Sequence, residues 1–138
     1  MKLFKSFLII IFVPNILFAK SEFYNEGVKL YNNKKFEDAK FKFQQDIVFN
    51  PKSELSYLYL SKIFNRQEKK NLEEQNLKTV MLLNPKNEEA IYLLAKLNIK
   101  KSDYKKTIEL INNLKEVCSN FCQKEAELKK KLENLEPK

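Results

Sequence analysis

The chain has 138 residues, and its 26 lysines and arginines against 18 aspartates and glutamates give a formal net charge of +8 at pH 7. It contains no histidine and only one glycine, which excludes an imidazole base, a Ser-His-Asp triad and a glycine-rich phosphate loop. We therefore expect a non-catalytic protein with no cofactor and no metal, since its two cysteines supply only half of the roughly four ligands that zinc needs.

The first predicted element is an export signal over residues 1–19. Lys2 and Lys5 precede an apolar run that extends from Phe7 to a candidate cleavage site after Ala19. This run has 13 residues and is interrupted by a proline, whereas a membrane-spanning helix needs roughly 20 residues. We therefore expect a periplasmic or secreted protein, with an uncleaved inner-membrane anchor as the alternative.

A 34-residue period organises the rest of the chain. Pro51 and Pro85, each preceded by asparagine, are 34 residues apart. At the same offset, small residues share one column and large apolar residues another: Gly27, Ser61 and Ala95, then Phe43, Leu77 and Ile111. Apolar residues within each period recur at spacings of three, four or seven, which are typical of helices.

Each period is therefore predicted to form two amphipathic helices. The breaks between them are expected near Asn32 to Lys35, Gln67 to Asn71 and Lys100 to Asp103. The Asn-Pro pairs end the first two periods, because proline cannot donate the hydrogen bond that continues a helix.

These columns resemble the tetratricopeptide repeat (TPR), whose pattern runs roughly W-x2-L-G-x2-Y, then A-x3-F, then P. In the first period, Gly27 and Leu30 take the glycine and tyrosine slots, Ala39 and Phe43 form A-x3-F, and Pro51 ends the unit. The resemblance implies an all-α, TPR-like α-solenoid of three helix-turn-helix repeats over residues 20–53, 54–87 and 88–121. Three residues depart from the pattern where apolar or small side chains are expected: Asp46, Glu73 and Asn98.

A C-terminal capping helix is predicted within residues 122–138. Apolar residues fall along one helical face, and Glu-Lys pairs at i, i+4 lie on the other. The apolar face holds Phe121, Leu128, Leu132 and Leu135, and the pairs are Glu125 with Lys129 and Glu127 with Lys131. A solenoid needs such a cap to cover its last apolar face; the alternative is a helix that docks on a partner.

Cys118 and Cys122 are the candidate disulfide, at the turn before the cap. In an exported chain outside a reducing cytosol, a short-range disulfide is the leading interpretation. A redox-active pair is disfavoured, because the spacing is not C-x-x-C and no strand pattern precedes it.

The resemblance also indicates where a ligand would bind. In TPR proteins the first helix of each repeat lines the concave side and holds peptides. The corresponding residues here are Tyr24, Tyr31, Asn32, Tyr59, Lys62, Arg66, Tyr92, Lys96 and Lys100. Tyrosines beside a ladder of cations suit an acidic segment with an apolar or aromatic anchor. The alternative is that the tyrosines are partly buried packing and the lysines a solvated face.

One subset of TPR proteins grips a C-terminal carboxylate through Lys, Asn and Arg residues. The corresponding positions here hold Tyr24, Val28, Tyr59, Glu89 and Leu93. That clamp is absent, which disfavours a cytosolic chaperone adaptor.

The sequence thus predicts an exported protein-protein interaction module, and analogy with other exported TPR proteins points to assembly of a cell-envelope structure. One alternative is a membrane-tethered scaffold that retains its N-terminus. The other is a polyanion or nucleic-acid binder, because 24 basic against 18 acidic residues, a net charge of +6, remain after loss of Lys2 and Lys5. An export signal argues against nucleic acid as the partner.

Overall fold

A computed structural model describes residues 21–135 of the chain. These residues contain no strand and form seven helices: α1 Glu22–Asn32, α2 Phe36–Phe49, α3 Glu54–Arg66, α4 Lys70–Leu83, α5 Glu88–Lys100, α6 Tyr104–Val117 and α7 Cys122–Glu133. The all-α prediction is confirmed. The predicted export signal over residues 1–19 lies outside the described residues. Between residues 21 and 135, every helix is too short or too polar to cross a membrane.

The helices pack as three hairpins followed by a single helix. α1 packs on α2, α3 on α4 and α5 on α6, while α2 meets α3 and α4 meets α5 between hairpins. α7 covers α5 and α6. Each of the ranges 20–53, 54–87 and 88–121 contains one hairpin. Every hairpin buries its apolar sides against the next, which is the solenoid arrangement.

Close packing inside the hairpins explains the alternation of small and large columns. Gly27 on α1 faces Phe43 on α2, and a Cβ atom at residue 27 would lie 2.7 Å from the nearest ring carbon. The corresponding pairs in the next two hairpins are also buried: Ser61 with Leu77, and Ala95 with Ile111. A larger residue on the first helix of a hairpin is therefore paired with a smaller residue on the second helix.

The turn inside each hairpin has the same backbone geometry. Lys34, Glu68 and Ser102, each 34 residues from the next, have φ angles of 61°, 57° and 58°. The following residue donates its N–H to the carbonyl five residues back, as Lys35 does to Leu30 at 2.9 Å. This is the Schellman C-cap, in which glycine usually takes the left-handed position. Three non-glycine residues take that position here.

The junction between the first and second hairpins is built on a buried carboxylate. Asp46 on α2 is fully buried and accepts hydrogen bonds from the hydroxyls of Ser21, Ser53 and Ser56. Ser21 is the N-cap of α1, and the other two serines lie at the start of α3. The carboxylate therefore connects α2 to the beginnings of two neighbouring helices. Asp46 departs from the repeat pattern because this junction is polar.

The third hairpin is joined to α7 by a covalent link and a polar one. A disulfide connects Cys118 and Cys122, whose Cα atoms are 5.2 Å apart. Glu88, the first residue of α5, accepts hydrogen bonds from the backbone N–H groups of residues 119–121 at 2.7–2.9 Å. The Ser119 hydroxyl, followed by these N–H groups, lowers the pKa of Glu88 to about 2. Both links fix the turn that precedes α7.

α7 covers the last hairpin with a narrower face than predicted. Leu128 and Leu132 are buried against α5 and α6. Leu135, which we expected on the same face, lies beyond the last residue of α7 and is 43% exposed. The predicted pair of Glu127 with Lys131 is replaced by an ion pair between Glu127 and Lys124, with N and O 2.7 Å apart.

Candidate functional site: the first-helix surface

The first-helix surface is the side of the molecule formed by α1, α3 and α5. It contains a depression of about 330 Å³ whose lining includes Tyr31, Lys62, Asn65, Arg66, Glu73, Glu89 and Leu93. Three of these residues, Tyr31, Lys62 and Arg66, belong to the predicted binding set. The other four were not predicted to bind, and Glu73 comes from α4.

Aromatic rings form a continuous cluster beneath one end of this surface. Tyr59 on α3 lies against Tyr31 and Tyr24 of α1, with ring centroids 5.0 and 6.1 Å apart. The Tyr59 ring also stacks on Phe43 at 4.8 Å. Tyr31 and Tyr59 keep part of their surface exposed, so the cluster is accessible from outside at these two rings.

Three of the four predicted cations lie over aromatic rings. The Lys62 ammonium is 4.9 Å from the Tyr59 centroid, and the Lys96 ammonium is 5.1 Å from that of Tyr92. The Arg66 guanidinium is 4.2 Å from the ring of Phe36. Such contacts stabilise a cation by about 0.5–1 kcal/mol at exposed sites, and they hold these side chains in place before a ligand binds.

Lys62 is also engaged by a carboxylate of the same surface. Its ammonium lies 2.7 Å from Glu89 on α5. Residue 89 is one of the positions where the carboxylate clamp is missing. The charge that we expected Lys62 to offer to a ligand is therefore already balanced, whereas Arg66 and Lys100 are exposed at the ends of their helices.

Tyr24 and Tyr92 are covered by neighbouring elements. Each side chain is only 8% exposed, and burial is the main cause of the raised pKa of both phenols. Tyr92 faces the cap: its hydroxyl donates to Glu127 at 3.2 Å, and its ring lies 5.9 Å from that of Phe121. For these two tyrosines, the alternative of partly buried packing describes the structure better than ligand binding.

Glu73 places a buried carboxylate among the cations. It is only 3% exposed and accepts a hydrogen bond from the Asn65 side chain at 2.8 Å. Burial raises the pKa of Glu73, while Asn65 and the charges of Lys100 and Lys96 oppose that rise. Glu73 occupies the column of Ala39 and Thr107. The repeat pattern therefore did not predict that Glu73 would line this depression.

The remaining predicted residue, Asn32, is exposed at the C-terminal end of α1. It is not part of the lining of the depression. Among residues 21–135, no group of three or more Cys, Asp or Glu side chains is arranged to hold a metal ion.

Comparison with known proteins identifies the fold. No protein-family model and no curated protein matches the sequence. Among solved structures, the chain matches the chaperone SycD of Yersinia enterocolitica in complex with a peptide of the translocator YopD, with a TM-score of 0.72 and 17% identity, over 81% of this chain and 88% of that chain.

Two further structures agree. The OM64 TPR domain of Arabidopsis matches with a TM-score of 0.73 and 17% identity, over 81% of this chain and 92% of that domain. The first TPR of Spaghetti (RPAP3), bound to the HSP90 peptide SRMEEVD, matches with a TM-score of 0.72 and 15% identity, over 82% and 90%. The chain therefore has the fold of tetratricopeptide repeat domains.

Proposed function

We propose that this protein is a non-catalytic interaction module whose first-helix surface holds an acidic segment of a partner protein. The observation that carries the proposal is the depression between α1, α3 and α5, where Tyr31, Lys62 and Arg66 meet. Two similar structures, SycD and RPAP3, hold peptides, and the HSP90 peptide contains three acidic residues.

The structure supports a division of roles within the surface. Tyr31 and Tyr59 offer exposed ring area for an apolar or aromatic side chain of the ligand. Arg66 and Lys100 carry exposed charges for its carboxylates, and Lys96 lies over the ring of Tyr92, which contacts the cap. Aromatic and arginine side chains are the residues that most often dominate binding energy, while the surrounding cations steer an acidic ligand to the site.

A random peptide library selected on the protein tests this proposal. We expect the enriched peptides to combine Asp or Glu with an aromatic or large aliphatic residue. An enriched peptide should bind about tenfold more weakly when its acids are replaced by amides, and more weakly at high salt. Selection of basic peptides, or of none, would contradict the proposal, as would binding of random DNA as tight as that of the best peptide.

A matched pair of triple variants locates the binding. R66A/K96A/K100A removes three cations from the first-helix surface and leaves the Lys62–Glu89 pair intact. K105A/K130A/K131A removes the same charge from α6 and α7, where all three lysines are exposed. Only the first variant should lose affinity for an enriched peptide; equal losses would show that net charge alone attracts it.

Export to the periplasm or the cell exterior, with a part in envelope assembly, belongs to the same proposal. It rests on the Lys-then-apolar pattern of residues 1–19. The mass of the protein purified from its source cells tests it: a chain that begins at Lys20 is expected, and an intact Met1 would favour the anchored alternative.

A further inference from the structure

Large apolar side chains are exposed along the side of the array that carries the turns between successive hairpins. Val48 and Phe49, at the end of α2, are each 72% exposed, and Leu82, near the end of α4, is 81% exposed. The exposed prolines of the two turns, Pro51 and Pro85, follow them. These five residues are called the apolar edge here. Val48 and Leu82 occupy the same column, so successive hairpins repeat the feature.

Each half of the apolar edge is followed by a lysine. Lys52 and Lys86, also in one column, are exposed directly after the two prolines. The nearby Glu54 is engaged by the side-chain amides of Asn84 and Asn87, whereas Glu22 at the start of α1 is exposed. Exposed apolar side chains with lysines next to them suit a surface that has an apolar interior covered by a negatively charged layer.

The chain also enters the described structure at this edge. Phe23, near the start of α1, stacks on Phe49 with ring centroids 5.4 Å apart. The apolar run of residues 7–18 therefore joins the fold a few residues from the apolar edge. A bilayer that receives this run during export, or that retains it, would lie beside Val48 and Phe49.

We infer that the apolar edge docks the protein on an anionic lipid surface. Val48, Phe49 and Leu82 enter the boundary between headgroups and acyl chains, which interfacial segments reach to a depth of about 5–10 Å. Lys52 and Lys86 contact lipid phosphates. Arg66 lies at the opposite end of α3 from this edge, roughly 18 Å along the helix, so the depression stays open to a peptide while the edge is docked.

A single-tryptophan reporter tests the inference on the full chain, because the sequence contains no tryptophan. F49W places the reporter on the apolar edge. F41W is the matched control: Phe41 is also on α2 and 58% exposed, but eight residues, or about 12 Å, from Phe49. Vesicles of phosphatidylcholine alone are compared with vesicles containing an equal part of phosphatidylglycerol.

With anionic vesicles, the emission of F49W should shift to the blue and be quenched by brominated lipid, while that of F41W should not. Adding K52E/K86E to F49W should weaken vesicle binding about tenfold or more. Insertion of residues 7–18 alone would leave the F49W signal unchanged by K52E/K86E, so the loss caused by this charge reversal is the result that supports the inference. Equal signals, or F49W still open to an aqueous quencher on bound protein, would overturn it, as would a response of F49W to a protein partner but not to lipid.

Discussion

The first and third hairpins have the same backbone but are stabilised by different chemistry. The first buries Phe43 against Gly27 and closes its junction with the buried Asp46. The third buries Ile111 and Leu114 and closes its junction with a disulfide. The 34-residue period therefore specifies the side-chain volume in each packing column and the geometry of each turn, while the residues that meet these requirements vary.

The largest difference lies at the column of Asp46, where the later hairpins hold Val80 and Leu114. Asp46→Val would give the first hairpin the residue of the second. We expect it to destabilise the protein by roughly 2–4 kcal/mol, because the buried hydroxyl of Ser56 and the half-buried hydroxyls of Ser21 and Ser53 lose their shared acceptor. Chemical denaturation measures this. A loss below that of Ser56→Ala, which removes one donor only, would show that the polar junction is not needed.

The small and large columns give a second test. Gly27→Ala should destabilise the protein by about 1–2 kcal/mol. The new Cβ would clash with the Phe43 ring, and the free-energy cost of this overpacking exceeds the gain from the higher helix propensity of alanine. Adding Phe43→Ile recreates the pair found in the third hairpin. A double-mutant cycle should then show favourable coupling between the two substitutions. If their changes in the free energy of unfolding simply add, residues 27 and 43 do not compensate for each other in size.

The disulfide gives a third, smaller test. C118S/C122S should lower stability by no more than about 2 kcal/mol, because the closed loop is short and Glu88 holds the same turn independently. Thermal unfolding with and without reductant checks this, with the variant as the control that must not respond to reductant. Loss of α7 protection in hydrogen exchange after reduction would instead make the disulfide the main restraint of the cap.

The turns inside the hairpins should behave alike despite their different residues. Lys34→Gly, Glu68→Gly and Ser102→Gly should each stabilise by about 0.5–1 kcal/mol, because each position has a left-handed φ. Asn33→Gly is the matched control, since residue 33 has a φ of −81° and should gain nothing. Unequal gains at the three turns would show that the hairpins differ in backbone as well as in side chains.

Periodicity was sufficient to predict the helices, the breaks between them and the packing columns, because these depend on residues close in sequence. It did not show that Tyr92 is covered, since burial there depends on α7. Nor did it reveal the Lys62–Glu89 pair, which joins two helices. The left-handed turns carried no signal because they lack glycine. Val48 and Leu82 did share a column, but apolar residues on an amphipathic helix are ordinarily expected in the core.

In the proposed function, α1, α3 and α5 together form the binding surface. Tyr31 of the first hairpin and Tyr59 of the second supply its aromatic rings, and the second and third hairpins supply its cations. Amide chemical-shift mapping with a selected acidic peptide tests this most directly. We expect the largest changes at Tyr31, Tyr59, Arg66, Leu93 and Lys100, and little change on α2, α4 and α6. Changes concentrated on those second helices, with the first-helix surface unaffected, would contradict the account.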